Sequence, residues 1–278
     1  MPRSHVRVAI AGEDQAHRAL VTFLADRVLL DEAAKRSLHW INAESLQGLR
    51  SYEGRGDDEH SPEHLRFYPL AQAKRDTEEL PKLLTIGGLP VKLRGHIDGK
   101  PLRPEAGFWR RVLMLFARDN QPPDVLIVAH DTDGDRARVK GLEQALAVTH
   151  PFPVIIAFPH QDAEAWFVAG FRPESDAERR RLEDRKSKLG FDPSEKPHQL
   201  TSRPNDAPTD AKRVLRILVF DEDASRPPAL EEIPDLCDRT LRDLELLERR
   251  GGSCGLVAFL DGLRGTLVPM LIPGPPAR

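Results

Sequence analysis

Asp124-Val125-Leu126-Ile127-Val128-Ala129-His130-Asp131-Thr132-Asp133-Gly134-Asp135 decides the fold class. Five consecutive apolar residues end abruptly in an acidic, glycine-containing loop. Strict polar alternation would mark a strand wetted on one face, whereas a continuous apolar run suits a strand covered on both faces of a parallel sheet. Gln121-Pro122-Pro123 breaks the chain just before it. Upstream, Phe108 to Phe116 carries an apolar helical face. Downstream, a helix is expected near residues 136–148, followed by a strand at Val154-Ile155-Ile156-Ala157-Phe158. Pro159 closes that strand, and a helix begins at Asp162 and runs through Trp166 to Ala169. Strand, helix, strand in this order is a βαβ unit.

The amino-terminal end repeats the pattern. Val6-Arg7-Val8-Ala9-Ile10-Ala11 leads into Gly12, and Ala16, Ala19, Leu20, Phe23, Leu24 and Val28 then recur at helical spacing. Leu38-His39-Trp40-Ile41 reads as a second strand. Residues 44–105 are polar and irregular, with the acidic run Gly56-Asp57-Asp58-Glu59, and read as an insertion with one or two short helices. Beyond residue 171 come a charge-dense helix over 176–189, a proline-rich loop over 191–208, and helical segments near 210–219, 229–250 and 255–268. The expectation is an α/β fold: a parallel-sheet core flanked by helices over residues 1–170, with the polar insertion at 44–105, and a mostly helical extension over 171–278 packed on that core. Trp40, Trp109 and Trp166 are expected in the core.

Composition narrows the function classes. With 41 Lys and Arg against 44 Asp and Glu, the formal charge is −3, so no global basic field draws in nucleic acid. Contact with it requires a local patch, or a metal that screens phosphate repulsion. The two cysteines, Cys237 and Cys254, match no zinc spacing and do not suggest a secreted disulfide scaffold. No apolar leader or membrane-length apolar run is visible, which makes a cytoplasmic location without membrane contact the expectation.

Three carboxylates stand where open α/β sheets bind ligands, just past the carboxyl ends of strands. Glu13 follows the first strand after one glycine; Asp131 and Asp133 follow the most apolar strand. Alternate residues can project to the same side there. Gathering unpaired carboxylates raises the cost of ionising all of them, and a hard divalent cation with oxygen ligands removes that cost. Mg²⁺ or Mn²⁺ is therefore the expected cofactor. Glu13 ligates the metal or acts as general acid or base; these alternatives stay open. The competing reading is an acidic turn ahead of a helix, with each carboxylate solvated or capping. An EF-hand is excluded, because its glycine belongs at loop position 6 and its glutamate at 12, whereas Gly134 is fourth and Leu142 stands twelfth.

Gly12-Glu13 after the first strand and Asp131-Thr132-Asp133 after a later one, in this order, resemble the Toprim family. That catalytic fold is shared by topoisomerases, bacterial primases and nucleases of the overcoming-lysogenization-defect type. The resemblance covers roughly residues 5–170, and Glu164-Ala165-Trp166 after an apolar strand also looks like a bacterial Toprim-like group sometimes encoded beside ATPases. It implies Mg²⁺-dependent cleavage or transfer at a nucleic-acid phosphodiester, with DNA ahead of RNA. Tyr52 and Tyr68, the only tyrosines, lie in the insertion rather than in a topoisomerase-type domain, and no cysteine zinc site supports a primase. The chain lacks GxxxxGK[ST], so an ATPase would be a separate subunit. A nuclease serving defence or repair is the function implied. The alternatives are a non-catalytic Toprim-like subunit of an ATPase complex, or a metal-dependent phosphatase or nucleotidyl transferase.

Other candidates carry two readings each. Glu164 is either a further metal ligand facing Asp131 or a helix-start carboxylate, with Asp162 as a possible cap. Arg136 and Lys212 are candidates for phosphate contact, against ion pairing and ordinary helix-start chemistry. Arg179-Arg180-Arg181 with Arg185, Lys186 and Lys188 reads as a solvated helix, since Glu178, Glu183 and Asp184 interrupt it. His130 reads as a strand-end residue rather than a ligand.

Overall fold

The computed structural model describes residues 5–54, 67–83, 85–86, 89–90, 96–97, 99–103, 105–202 and 207–272. The acidic run at 56–59 lies outside the described residues. The central sheet contains β1 (Val6–Gly12), β2 (Arg50–Glu53), β3 (Tyr68–Pro69), β4 (Val125–Ala129) and β5 (Val154–Ala157). Its order is β2-β1-β4-β5, with β3 pairing the end of β1 beyond β2. Every pairing is parallel. The α/β architecture with a helical carboxyl-terminal part is as expected.

The pleat sorts side chains between two cores. Val6, Val8 and Ile10 of β1, with Val125, Ile127 and Ala129 of β4, face one. Ala9, Ala11, Leu126 and Val128 face the other. All five residues of β4 are completely buried. Each large aliphatic there contributes roughly 1.5–3 kcal/mol, which explains why this strand carries no polar residue until it leaves the sheet.

The first core is covered by α1 (Gln15–Lys35), α6 (Glu164–Gly170) and the carboxyl-terminal helices, including α8 (Ala211–Leu215), α9 (Ile233–Thr240), α10 (Leu244–Gly251) and α11 (Leu256–Gly262). The second lies under α3 (Leu70–Leu83), α4 (Ala106–Ala117) and α5 (Arg136–Leu146). The carboxyl-terminal helices thus share one hydrophobic core with the sheet. Gly255 shows how closely they meet: its φ is +87°, and a Cβ there would stand 2.3 Å from the Phe158 carbonyl oxygen at the end of β5. Among the described residues no single helix is long and apolar enough to cross a membrane.

Three local expectations change. Residues 38–41 form turns rather than a strand, and Trp40 is 56% exposed, while Trp109 and Trp166 are fully buried. Packing explains this, since α1 ends at Lys35 and Trp40 sits on the surface connection to α2 (Ala43–Leu49). The stretch read as an irregular insertion supplies α2, β2, β3 and α3, and two of these are sheet strands. Their polar residues conceal the strands: β2 is only half-buried, and Arg7 and Arg50 of adjacent strands satisfy their charges on Glu53 and Asp26. Helix α7 (Asp176–Leu189) pairs Arg179 with Asp176, Arg181 with Glu178 and Lys186 with Glu183, so its basic run is internally neutralised.

Candidate metal centre

β1, β4 and β5 run parallel, so their carboxyl ends emerge at one edge of the sheet. Glu13 follows β1 directly. Asp14 then caps α1, its carboxylate accepting the His17 amide at 2.9 Å. Capping fixes His17 on the first turn, with only 4% of its surface exposed. Its Nδ1 lies 2.8 Å from Asp14 Oδ1, and its Nε2 lies 3.1 Å from Asp131 Oδ1. Ligating atoms of Glu13, His17 and Asp131 all lie within 4.8 Å of one another. The end of β1, the adjoining start of α1 and the end of β4, 114 residues beyond His17, thus deliver two carboxylates and one imidazole to a single point.

The electrostatics follow from this geometry. Burial opposes charge on His17, but hydrogen bonds to Asp131 and Asp14 outweigh it and hold the imidazole pKa well above its usual 6.5. Burial likewise disfavours the Glu13 carboxylate, and contact with His130 overcomes it, leaving the Glu13 pKa below normal. His130 Nδ1 touches Glu13 Oε1. The His130 ring stands 5.7 Å from Trp109 and 5.8 Å from Phe158, centroid to centroid, and its amide donates to the Ala157 carbonyl at 3.2 Å. His130 is therefore locked in place by aromatic packing, with one nitrogen holding Glu13.

The loop after β4 gives each acid a different task. Asp131 is 8% exposed and faces His17. The Thr132, Asp133 and Gly134 amides donate to the carbonyls of Pro159, Gln161 and His160 after β5. Asp133 and Gly134 both adopt left-handed backbone, with φ of 50° and 74°, a conformation aspartate and glycine tolerate best. That turn carries Asp133 outward to Arg138, whose guanidinium lies 2.6 Å away. Asp133 is thus outside the cluster of ligating atoms. Alternation would bring Asp131 and Asp133 to one side only in an extended chain, and here the strand has already ended. Asp135 caps α5, accepting the Ala137 amide at 2.8 Å.

The third strand end adds a buried mixed-charge group. Asp162, 2% exposed, does not cap α6; it pairs with Lys212 Nζ at 3.1 Å. Burial pushes the Asp162 pKa up to about 6 against the pull of Lys212, with the charges of Asp131 and Asp133 adding to the rise. Glu164 is 6% exposed. Burial raises its pKa to about 7; Lys212 opposes the rise, and the charges of Asp131 and Asp162 add to it. Glu164 therefore feels the charge of Asp131, but its carboxylate is not among the clustered ligating atoms of Glu13, His17 and Asp131. Lys212, on the first turn of α8, has its own pKa raised because those three acids outweigh its burial. Arg136 is exposed on the first turn of α5; burial lowers the His160 pKa and the charge of Arg136 adds to the fall.

The sequence singled out Glu13 and Asp131, which the structure brings together, and Glu164, which stands outside their cluster; it passed over His17 and undervalued His130. One signal for His17 was present: an aspartate followed three residues later by histidine at a helix start puts both side chains at one helix end. Searches against protein-family models, curated proteins and solved structures return no match for this chain.

Proposed function

We propose that this protein is a metal-dependent nuclease hydrolysing phosphodiester bonds, with DNA ahead of RNA as substrate. The observation that carries the reading is the convergence of Glu13, His17 and Asp131 ligating atoms within 4.8 Å at the carboxyl edge of a parallel sheet. The donor set fits a divalent cation: two carboxylates, whose mutual repulsion and burial a dication offsets, and an imidazole that ligates through a nitrogen lone pair. Such a cation, Mg²⁺ or Mn²⁺, supplies charge stabilisation at a phosphoryl oxygen and makes water more acidic.

The chain's own groups divide the remaining work. His130 orients the Glu13 carboxylate. Lys212 holds a positive charge beside the centre, tethered to Asp162 and available to a phosphate oxygen. Glu164, with a pKa of about 7, holds or releases a proton at its carboxyl near neutrality, which suits general acid–base work. Exposed Arg136, with Arg138 behind it on α5, offers positive charge to a flanking phosphate. The order of Gly12-Glu13 and Asp131-Thr132-Asp133 after neighbouring parallel strands supports a Toprim-like reading, from which this chain departs by using His17 where Asp133 was expected. A separate ATPase subunit and a place in a defence or repair system belong to the same proposal.

The test is incubation with supercoiled plasmid and with single-stranded DNA and RNA under Mg²⁺ and Mn²⁺. Cleavage that requires metal and is lost in Glu13→Gln and Asp131→Asn supports the reading. Absence of cleavage on all substrates, or cleavage indifferent to both substitutions, overturns it.

A further inference from the structure

The Glu13–His17–Asp131 cluster carries one donor that a magnesium site does not need. Mg²⁺ favours a near-octahedral shell of oxygen and retains much of its water, whereas imidazole suits first-row transition metals. His17 is no incidental neighbour. It is almost fully buried, its Nε2 points at Asp131 Oδ1 at 3.1 Å, and its Nδ1 is anchored on Asp14 Oδ1 at 2.8 Å. A histidine that gives one ring N–H to a carboxylate while turning the other nitrogen to a ligand cluster matches the way proteins orient metal-binding imidazoles. The carboxylate fixes the tautomer and increases the basicity of the inward nitrogen. Asp14 is in turn fixed, because it also accepts the His17 amide at 2.9 Å as the cap of a 21-residue helix.

We infer that the centre is built for a first-row transition-metal dication, such as Mn²⁺, bound through His17 Nε2 with Asp14 as the outer carboxylate, and that it discriminates against Mg²⁺. The inference rests on the metal-dependent reading above and names the class of ion. Coordination needs the His17 Nε2 lone pair, so any proton on that nitrogen leaves to solvent as the ion enters. Asp14 stays outside the first ring of donors and acts as a positioning residue through His17.

The experiment uses the full chain with Mn²⁺ alone as probe, combining calorimetry with pulsed electron paramagnetic resonance. The expected result is hyperfine coupling from one ¹⁴N in the wild-type Mn²⁺ complex and tighter binding of Mn²⁺ than Mg²⁺ by about tenfold or more. In His17→Asp the nitrogen coupling disappears and the Mn²⁺-to-Mg²⁺ preference shrinks. In Asp14→Asn the coupling persists while Mn²⁺ affinity falls about 10–100-fold. Asparagine caps helices as well as aspartate, so this variant carries the test if His17→Asp does not fold. Mn²⁺ binding without nitrogen coupling, yet weakened by Glu13→Gln and Asp131→Asn, overturns the inference and leaves the metal-dependent reading standing. Failure to bind Mn²⁺, or binding indifferent to Glu13 and Asp131, overturns both.

Discussion

Replacing Glu164 by glutamine should stabilise the metal-free protein at alkaline pH and leave it unchanged in acid. Glu164 is 6% exposed, and its pKa is raised from 4.5 to about 7, first by burial and then by the charges of Asp131 and Asp162, with Lys212 in partial opposition. The folded state therefore binds the Glu164 proton more tightly than the unfolded state does. Between pH 4.5 and about 7 the unfolded chain carries fewer protons at this group, so stability falls as pH rises. The contribution is fully present below 4.5 and is lost as pH passes through about 7. At about 1.36 kcal/mol per pH unit, the gap amounts to roughly 3 kcal/mol. Glutamine is nearly isosteric with the protonated acid and cannot ionise. Urea denaturation followed by circular dichroism, with chelator present, at about pH 4 and about pH 8.5 measures the difference. The variant should match wild type at the lower pH and exceed it by up to roughly 3 kcal/mol at the higher. Equal stability at both values, or a variant weaker at high pH, would refute the claim that this carboxylate is buried against its neighbours' charge.

Three further outcomes follow from individual contacts. His130→Phe keeps the ring among Trp109 and Phe158 but removes the nitrogen that holds Glu13; titration calorimetry should show Mn²⁺ affinity reduced about 10–100-fold with a native circular dichroism spectrum. Unchanged affinity would make His130 a packing residue alone. Glu13→Gln should lower cleavage about 10²-fold or more while the fold persists, since this carboxylate lies outside the apolar cores; normal turnover would remove Glu13 from the chemistry. Gly255→Ala should cost about 3 kcal/mol or more in a denaturant titration, because left-handed backbone and the Phe158 carbonyl oxygen both oppose a Cβ. A neutral result would mean that α11 shifts away from β5 at little cost.

Legibility in the sequence tracks how local the determining physics is. Val125 to Ala129 announces itself because a strand buried on both faces has no polar position. The strand at Arg50–Glu53 does not, because its charges are neutralised by partners far away in the chain, such as Arg7 and Asp26. The same contrast divides the site. Glu13 and Asp131 stand at strand ends, where fold topology alone predicts convergence. Asp133 misleads because the left-handed backbone at residues 133 and 134 turns it away, and strand alternation no longer applies once the ladder has ended. His17 sits among the apolar residues of an amphipathic helix, and only the approach of Asp131 from 114 residues away reveals its second nitrogen as inward-facing. Asp162 looks like a helix cap in sequence, and Lys212 from the carboxyl-terminal part takes it instead.

The most direct measurement is anomalous diffraction from crystals grown or soaked with Mn²⁺. The account predicts one strong anomalous peak bonded to carboxylate oxygens of Glu13 and Asp131 and to His17 Nε2, at distances of roughly 2.0–2.3 Å. It also predicts Nδ1 of the same ring still on Asp14 and Asp133 still turned to Arg138. A peak held by Asp133 and Asp135 on the loop surface, or none in crystals whose Glu13, His17 and Asp131 are well ordered, would contradict it.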